Sequence, residues 1–270
     1  MRDSLARCDG RRDLKVATGA GRWLLIGNSR WHWALGRPGD LRCGHGAPAA
    51  PLNPLVAWAA VGPVPDQIQG QALDLDPALR LRLEDVPLGQ APPWLGVDRA
   101  LVGWQAWRQS PGRPVLVADA GTALSLTRVG ADGNFAGGRL QAGAQLQWRS
   151  LAAATDQLPL INAEPALNLL DPESSWPRST EPALRAGVLW GMAAAISAAA
   201  IEAAASQARL GQLELQLWLT GGDGAELEPL VRSLLGETLA PNLPLAAGLR
   251  LAPNLALEAL AALRPGPDRR

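Results

Sequence analysis

Lysine is almost missing from this chain: Lys15 is the only one in 270 residues, and arginine carries the remaining basic charge. No Gly-Lys-Ser/Thr tripeptide exists, so a Walker-type phosphate loop is excluded. Any phosphate chemistry must rest on backbone amides, hydroxyls, arginine and metal. Cysteine is scarce too, with only Cys8 and Cys43, which is too few for a disulfide framework or a zinc site. His32 and His45 add no metal-ligand spacing to them. A reducing cytoplasm is the expected compartment. There is no excess of either charge, since 25 basic residues balance 25 acidic ones, so no electrostatic footprint points to nucleic acid or to an anionic membrane. The longest apolar stretch, Ala186 to Ile201, is shorter than the ~20 residues that span a bilayer. Leu184, Val188, Met192 and Ile196 recur there at every fourth position, the mark of one packed helical face, and its many alanines permit a close neighbour, in the core or at a subunit interface. Residues 1–20 mix Arg2, Arg7, Arg11 and Arg12 with Asp3, Asp9 and Asp13 and have no apolar centre. They read as a disordered extension, or as a start placed too far upstream, and not as a signal peptide.

What is present is a core-forming composition, 47% apolar, over a length that suits one large domain or two lobes. A chain of this size buries roughly 75% of its unfolded surface without a staple. One short pattern occurs twice. Trp23-Leu24-Leu25-Ile26 runs into Gly27-Asn28-Ser29 and returns as Arg30 to Leu35. Val115 to Asp119 runs into Ala120-Gly121-Thr122-Ala123 and returns as Leu124 to Val129. Each reads as strand, glycine turn, strand. Glycine lets the backbone approach a bulky anion, and the neighbouring hydroxyls and amides can donate to phosphate oxygens. Two such corners facing one cleft would grip a nucleoside triphosphate.

Between them, Gly36 to Pro54 reads as a loop, Leu55 to Val61 as a buried strand, and Pro63 to Asp76 as helix or loop. Leu79 to Leu83 reads as a short strand and Ala100 to Arg108 as a helix. Ser110-Pro111-Gly112-Arg113-Pro114 is the clearest break. The expected division is an extension over 1–20, lobes over 21–112 and 113–265, and a tail over 266–270. In the second half, Phe135 to Leu140 reads as a third strand and Gln145 to Ala153 as a helix. Asp171 to Pro182 reads as a loop, Leu213 to Thr220 as an alternating strand, and Ala225 to Leu235 and Asn254 to Leu263 as closing helices. A hairpin opening each half argues for a duplicated α/β fold.

Four landmarks stand in order: Gly27-Asn28-Ser29, Gly96-Val97-Asp98-Arg99, Asp119-Ala120-Gly121-Thr122-Ala123 and Thr220-Gly221-Gly222. The series resembles the type III pantothenate kinases, of the superfamily that joins acetate kinase, sugar kinases and actin. Gly137-Gly138 with Gly143, Thr155 through Leu158-Pro159, Gly187 with Gly191, and Leu255 to Leu260 resemble further segments of that family. The likeness runs from Trp23 to Leu263. It implies a duplicated, two-lobed ribonuclease H-like (actin-like ATPase) fold around a nucleotide cleft. The implied activity is ATP-dependent phosphorylation of pantothenate, the first step towards coenzyme A. It further implies a homodimer, Mg²⁺ with ATP, and a monovalent cation, K⁺ or NH₄⁺. Carried over by position, Asp98 is the proton acceptor and Asp119 holds the monovalent cation. Ile26, Gly27, Asn28, Ser29, His32, Gly121, Thr122 and Gly222 contact ATP. Gly96, Val97, Asp98, Arg99 and Thr180 contact substrate.

The chemistry stands without the name. Phosphoryl transfer needs donor and attacking hydroxyl in line and charge neutralised on the transferring oxygens. Asp98 would give the proton of a primary alcohol somewhere to go. Arg99 would either pair with Asp98 or orient the substrate's carboxylate. The residue-level alternatives are a helix N-cap for Asp98, turn formation for Asn28, Ser29 and Asp119, and a packed strand position for His32. Three positions depart from the family pattern. Leu25 stands where it has an aspartate that handles Mg²⁺, His32 where it has lysine, and Leu88-Gly89 where it has an aromatic. Leu25 keeps open a nucleotide-binding paralogue with weakened catalysis, and a pocket that one sequence does not spell out keeps open a kinase of another small alcohol.

Overall fold

The computed structural model describes residues 20–47, 54–68, 70–161, 168–209, 214–238 and 248–266. The expectations for residues 1–19 and for 267–270 lie outside the described residues.

A continuous apolar run from Trp23 makes β1 (Gly21–Ile26), which turns at Gly27 and returns as β2 (Trp31–Arg37), then β3 (Asp40–Gly46). β4 (Ala57–Ala60) lies parallel to β1, and β5 (Gln67–Ile68) and β6 (Gln71–Ala72) form a small separate hairpin. After α1 (Val97–Arg108) come β7 (Val115–Ala120), β8 (Ala123–Val129) and β9 (Phe135–Ala142). α2 (Ala144–Ala154), α3 (Pro172–Ser175) and α4 (Thr180–Arg209) precede β10 (Gln216–Thr220). α5 (Gly224–Thr238), β11 (Arg250–Leu251) and α6 (Leu255–Leu263) complete the chain.

The first sheet has the order β3-β2-β1-β4 and the second β11-β10-β7-β8-β9. In each, three antiparallel strands are joined by a parallel neighbour of the opening strand, β4 beside β1 and β10 beside β7. One topology used twice is the duplicated α/β fold expected from the two hairpins.

The period-2 alternation sorts the first sheet's side chains. Both faces carry buried apolar side chains: Leu24 and Ile26 join Trp31, Trp58 and Ile68 on one face, while Trp23, Leu25, Ala34, Ala57 and Ala59 meet α1 and α6 on the other. Val115, Val117, Val129 and Trp218 of the second sheet close that same layer, so α1 and α6 lie between the sheets. The far face of the second sheet packs on α2, α4 and α5. Burying each large apolar side chain in these layers contributes roughly 1.5–3 kcal/mol. α6 returns from the end of the chain to the first sheet, and the Trp23 indole Nε1 donates to the Arg264 carbonyl at 2.8 Å. α4 is long and apolar enough to cross a membrane, but its Leu189, Met192, Ala193, Ile196 and Ala200 are wholly buried in the core.

Several local expectations are corrected. The loop expected over 36–54 contains β3, an edge strand whose Gly44 and Gly46 hide the alternation. Pro63 to Asp76 contains the β5–β6 hairpin. Leu79 to Leu83 is not a strand: two 3₁₀ turns, Pro77–Leu79 and Leu83–Asp85, flank a single bridge from Arg80 to Trp58. α1 starts at Val97, three residues earlier than expected, because Gly96 is its N-cap. The loop before α4 ends at Ser179, with α3 inside it. β10 shows no alternation, since all five residues are buried in a central strand paired on both sides. β11 had no counterpart among the expected strands.

Candidate active site

A cleft of about 420 Å³ opens where the two sheets' first hairpins meet. At the β1–β2 corner the Gly27 amide donates to the Arg30 carbonyl at 3.0 Å, closing a turn that lifts Asn28 and Ser29 into the open. At the β7–β8 corner the Gly121 amide donates to the Ala123 carbonyl at 3.1 Å, and Thr122 stands exposed at the tip. The corners touch, with Ser29 Oγ and Thr122 Oγ1 2.8 Å apart. Two hydroxyls that satisfy each other here can both donate to an anion placed between them.

The third wall is the turn after β10. Gly221 has φ +88°, and a side chain there would collide with the Ala120 carbonyl and the Asp119 carboxylate. Only glycine allows the β10–α5 turn to lie against β7. Asp223 follows at the start of α5, its amide donating to the Ala120 carbonyl at 3.0 Å. Burial and Glu226 push its carboxyl up to about 6, against the opposing pull of Arg30 and the Ala144 amide.

Asp98 occupies the first turn of α1, where the helix dipole favours a carboxylate. Its Oδ1 accepts from the Arg99 amide at 2.8 Å, so the side chain folds back over the helix start. The N-cap is Gly96 and not Asp98. Burial holds the Asp98 carboxyl above the ordinary carboxylate range, despite that bond and the Arg99 charge. Asp119, at the end of β7, is raised to about 7 by burial and then by Asp98. Two desolvated carboxylates therefore repel across one corner of the cleft. Among the described residues no cluster of three or more His, Cys, Asp or Glu could hold a metal without further ligands.

Arg99 makes no direct ion pair with Asp98 among the described residues, although its charge still acts on that carboxyl. Its guanidinium is buried and Nε donates to Thr127 Oγ1 at 3.3 Å, while it still lines the cleft. Gly27, Asn28, Ser29, His32, Gly96, Asp98, Asp119, Gly121, Thr122 and Gly222 line it as well. Ile26 and Val97 are buried and belong to the layers beneath. Thr180 is the exposed first residue of α4 and is not part of the lining. Leu25, 5% exposed, lines the cleft opposite His32, so the first corner carries no carboxylate there.

Lining or adjoining residues that were not among the sequence-derived candidates include Arg30, His45, Trp94, Asp223 and Asn254. Arg30 directly follows the first glycine motif and was within reach of local reasoning. His45 and Asn254 come from β3 and from the cap of α6, and no local signal joins them to the rest.

The arrangement can hold an anion between two hydroxyl-bearing corners and accept a proton at a carboxylate beside it. A family model described as type III pantothenate kinase matches residues 84–202. The type III pantothenate kinase of Synechococcus elongatus is 34% identical over 242 residues, covering 82% of this chain and 92% of its own. That of Thermosynechococcus vestitus is 37% identical over 225 residues, covering 78% and 81%. Among solved structures, a ROK family glucokinase from Streptomyces griseus in complex with glucose and AMPPNP aligns with TM-score 0.48 and 14% identity, over 91% of this chain and 99% of that one.

Proposed function

Because this chain belongs to the type III pantothenate kinases, we propose that its cleft transfers the terminal phosphoryl group of ATP to the primary hydroxyl of pantothenate. The product is 4′-phosphopantothenate, and the reaction is the first step of coenzyme A synthesis. The carrying observation is the meeting of Ser29 and Thr122 over the cleft that also holds Asp98.

The Gly27-Asn28-Ser29 and Gly121-Thr122 corners, with Gly222, grip the triphosphate through amides and hydroxyls. Ile26 contributes through its backbone alone, since its side chain is wholly buried. His32 faces the same corner. Asp98 accepts the proton of the attacking hydroxyl, which leaves as the new P–O bond forms and the bond to the ADP oxygen breaks. Arg99 orients the substrate carboxylate, and Gly96 and Val97 shape the backbone beside it. Thr180 is kept as a substrate contact on the family resemblance alone.

The donor set suits hard cations: Asp98, Asp119 and phosphate oxygens together offer only oxygen. Asp119 would hold a monovalent cation, K⁺ or NH₄⁺, and Mg²⁺ would arrive with ATP, supplying charge neutralisation on the phosphates. The raised pKa of Asp119 supports this assignment, because a cation there would relieve the carboxylate repulsion. The lobes divide at the Ser110–Pro114 break, with α6 crossing back to the first sheet. The working unit is a homodimer in the cytoplasm. Its support is an exposed stripe of small residues on α4, Ala183, Gly187, Gly191, Ala194 and Ala198.

Purified protein with ATP, Mg²⁺, K⁺ and radiolabelled pantothenate is expected to yield labelled phosphopantothenate. Asp98→Asn is expected to lower kcat by roughly 10²–10⁴-fold. Absence of product with the native chain, or full activity in the variant, overturns the assignment.

A further inference from the structure

Two histidines are all the chain possesses, and the fold places them in contact. Leu25, His32 and His45 are successive partners across β1, β2 and β3, so their side chains share one face, the one lining the cleft. The His32 and His45 Nδ1 atoms lie 2.7 Å apart, the rings set edge to face. His45 Nε2 in turn reaches Asn254 Oδ1 at 3.1 Å, on the residue that caps α6. The free end of His32 points at the phosphate corner, since a methyl on Gly27 would stand 3.4 Å from its Nε2.

One proton is shared between the two Nδ1 atoms, and that fixes the rest of the row. With Asn254 accepting at Oδ1, His45 carries its hydrogen on Nε2 and His32 on Nδ1. His32 then shows a bare lone pair to the cleft. Half a turn of the Asn254 amide presents Nδ2–H instead. His45 Nε2 then accepts, His45 Nδ1 donates, and His32 carries its hydrogen on Nε2.

We propose that Asn254 and His45 are positioning residues for His32, forming a tautomer relay in which nucleotide binding selects the arrangement with His32 Nε2–H donating to a phosphate oxygen. This rests on the kinase reading above. The exchange is charge-neutral. The shared proton passes from His32 Nδ1 to His45 Nδ1, one proton is taken up at His32 Nε2, and one is released from His45 Nε2. Burial, His45 and Arg30 hold the His32 ring well below its ordinary value, at about 4, so it works as a neutral donor. A neutral donor can still favour a phosphate, because a hydrogen bond to a charged acceptor is stronger than one between neutral groups.

Long-range ¹H–¹⁵N spectra of the ring nitrogens read the tautomers directly, and only two rings contribute. The unliganded protein is expected to show His32 protonated on Nδ1, and saturation with AMPPNP to move that hydrogen to Nε2. His45→Ala and Asn254→Ala are each expected to raise KM for ATP roughly tenfold while kcat changes less than about twofold, and His45→Gln to restore most of the loss. An identical His32 tautomer with and without AMPPNP overturns the relay, as does an unchanged KM in folded variants. The native-protein spectra require no substitution. Calorimetric failure of the native protein to bind AMPPNP at all would overturn the kinase reading itself, which separates the two failures.

Discussion

Asp98 and Asp119 gain their chemistry from sharing a desolvated corner. Both carboxyls are held above the ordinary range, Asp119 at about 7, and they titrate as a pair. Asp98 must be ionised to accept a proton, so kcat/KM falls as pH falls through the pair. The acid limb is expected above the ~4 where an isolated carboxyl titrates. Raising K⁺ or Mg²⁺ stabilises the charged forms and is expected to shift that limb to lower pH, measured by pH–rate profiles at two cation concentrations. Stability runs the opposite way: the folded state binds the extra proton, so this contribution is present at low pH and is lost as pH rises towards 7. Asp119→Asn is expected to flatten the dependence of the denaturation midpoint on pH in cation-free buffer. Leu25 fits the same electrostatic picture, since an aspartate there would add a third carboxylate to the cleft.

The β10–α5 turn is tightly constrained by its neighbours. Gly221→Ala must adopt a left-handed backbone and push a methyl group into Ala120 and Asp119. A loss of at least ~1–3 kcal/mol in stability is expected, together with a raised KM for ATP, read by denaturant melts and kinetics. This turn was legible in the sequence because a strand-like run ends abruptly in two glycines. The two hairpins were legible for a similar reason: apolar runs broken by a glycine corner need no distant partner to be recognised. β3 was not, because it is an edge strand whose Asp40 and Arg42 are exposed and whose glycines carry no pattern. The true start of α1 was hidden because Gly96 caps the helix with no side-chain signal. Asp98, Asp119 and Thr122, singled out by motif, do line the cleft. His45 and Asn254 could not be singled out in that way, since 209 positions separate them and only the packing of α6 on the first sheet brings them together.

At the scale of the whole molecule, two copies of one sheet topology enclose a helical layer, and a further helical layer covers the second sheet. α4 buries one side in that outer layer and leaves the Gly187 and Gly191 side open, with nothing within 4 Å of a side chain built at either glycine. Gly187→Leu combined with Gly191→Leu is expected to convert a dimer into a monomer by light scattering, while the fold is retained. A native chain that is already monomeric would sink that reading of the stripe.

The return of α6 to the first sheet has a consequence for biosynthesis. A ribosome makes β1 to β4 early, yet the helix that covers Trp23, Leu25 and Ala57 emerges only after the whole second sheet has been made. Until then the nascent chain displays an apolar face that α1 alone covers in part, a surface that holding chaperones bind. Translation stalled before residue 255 leaves a fragment whose first half is unfinished and whose Asn254–His45 link has no anchoring helix.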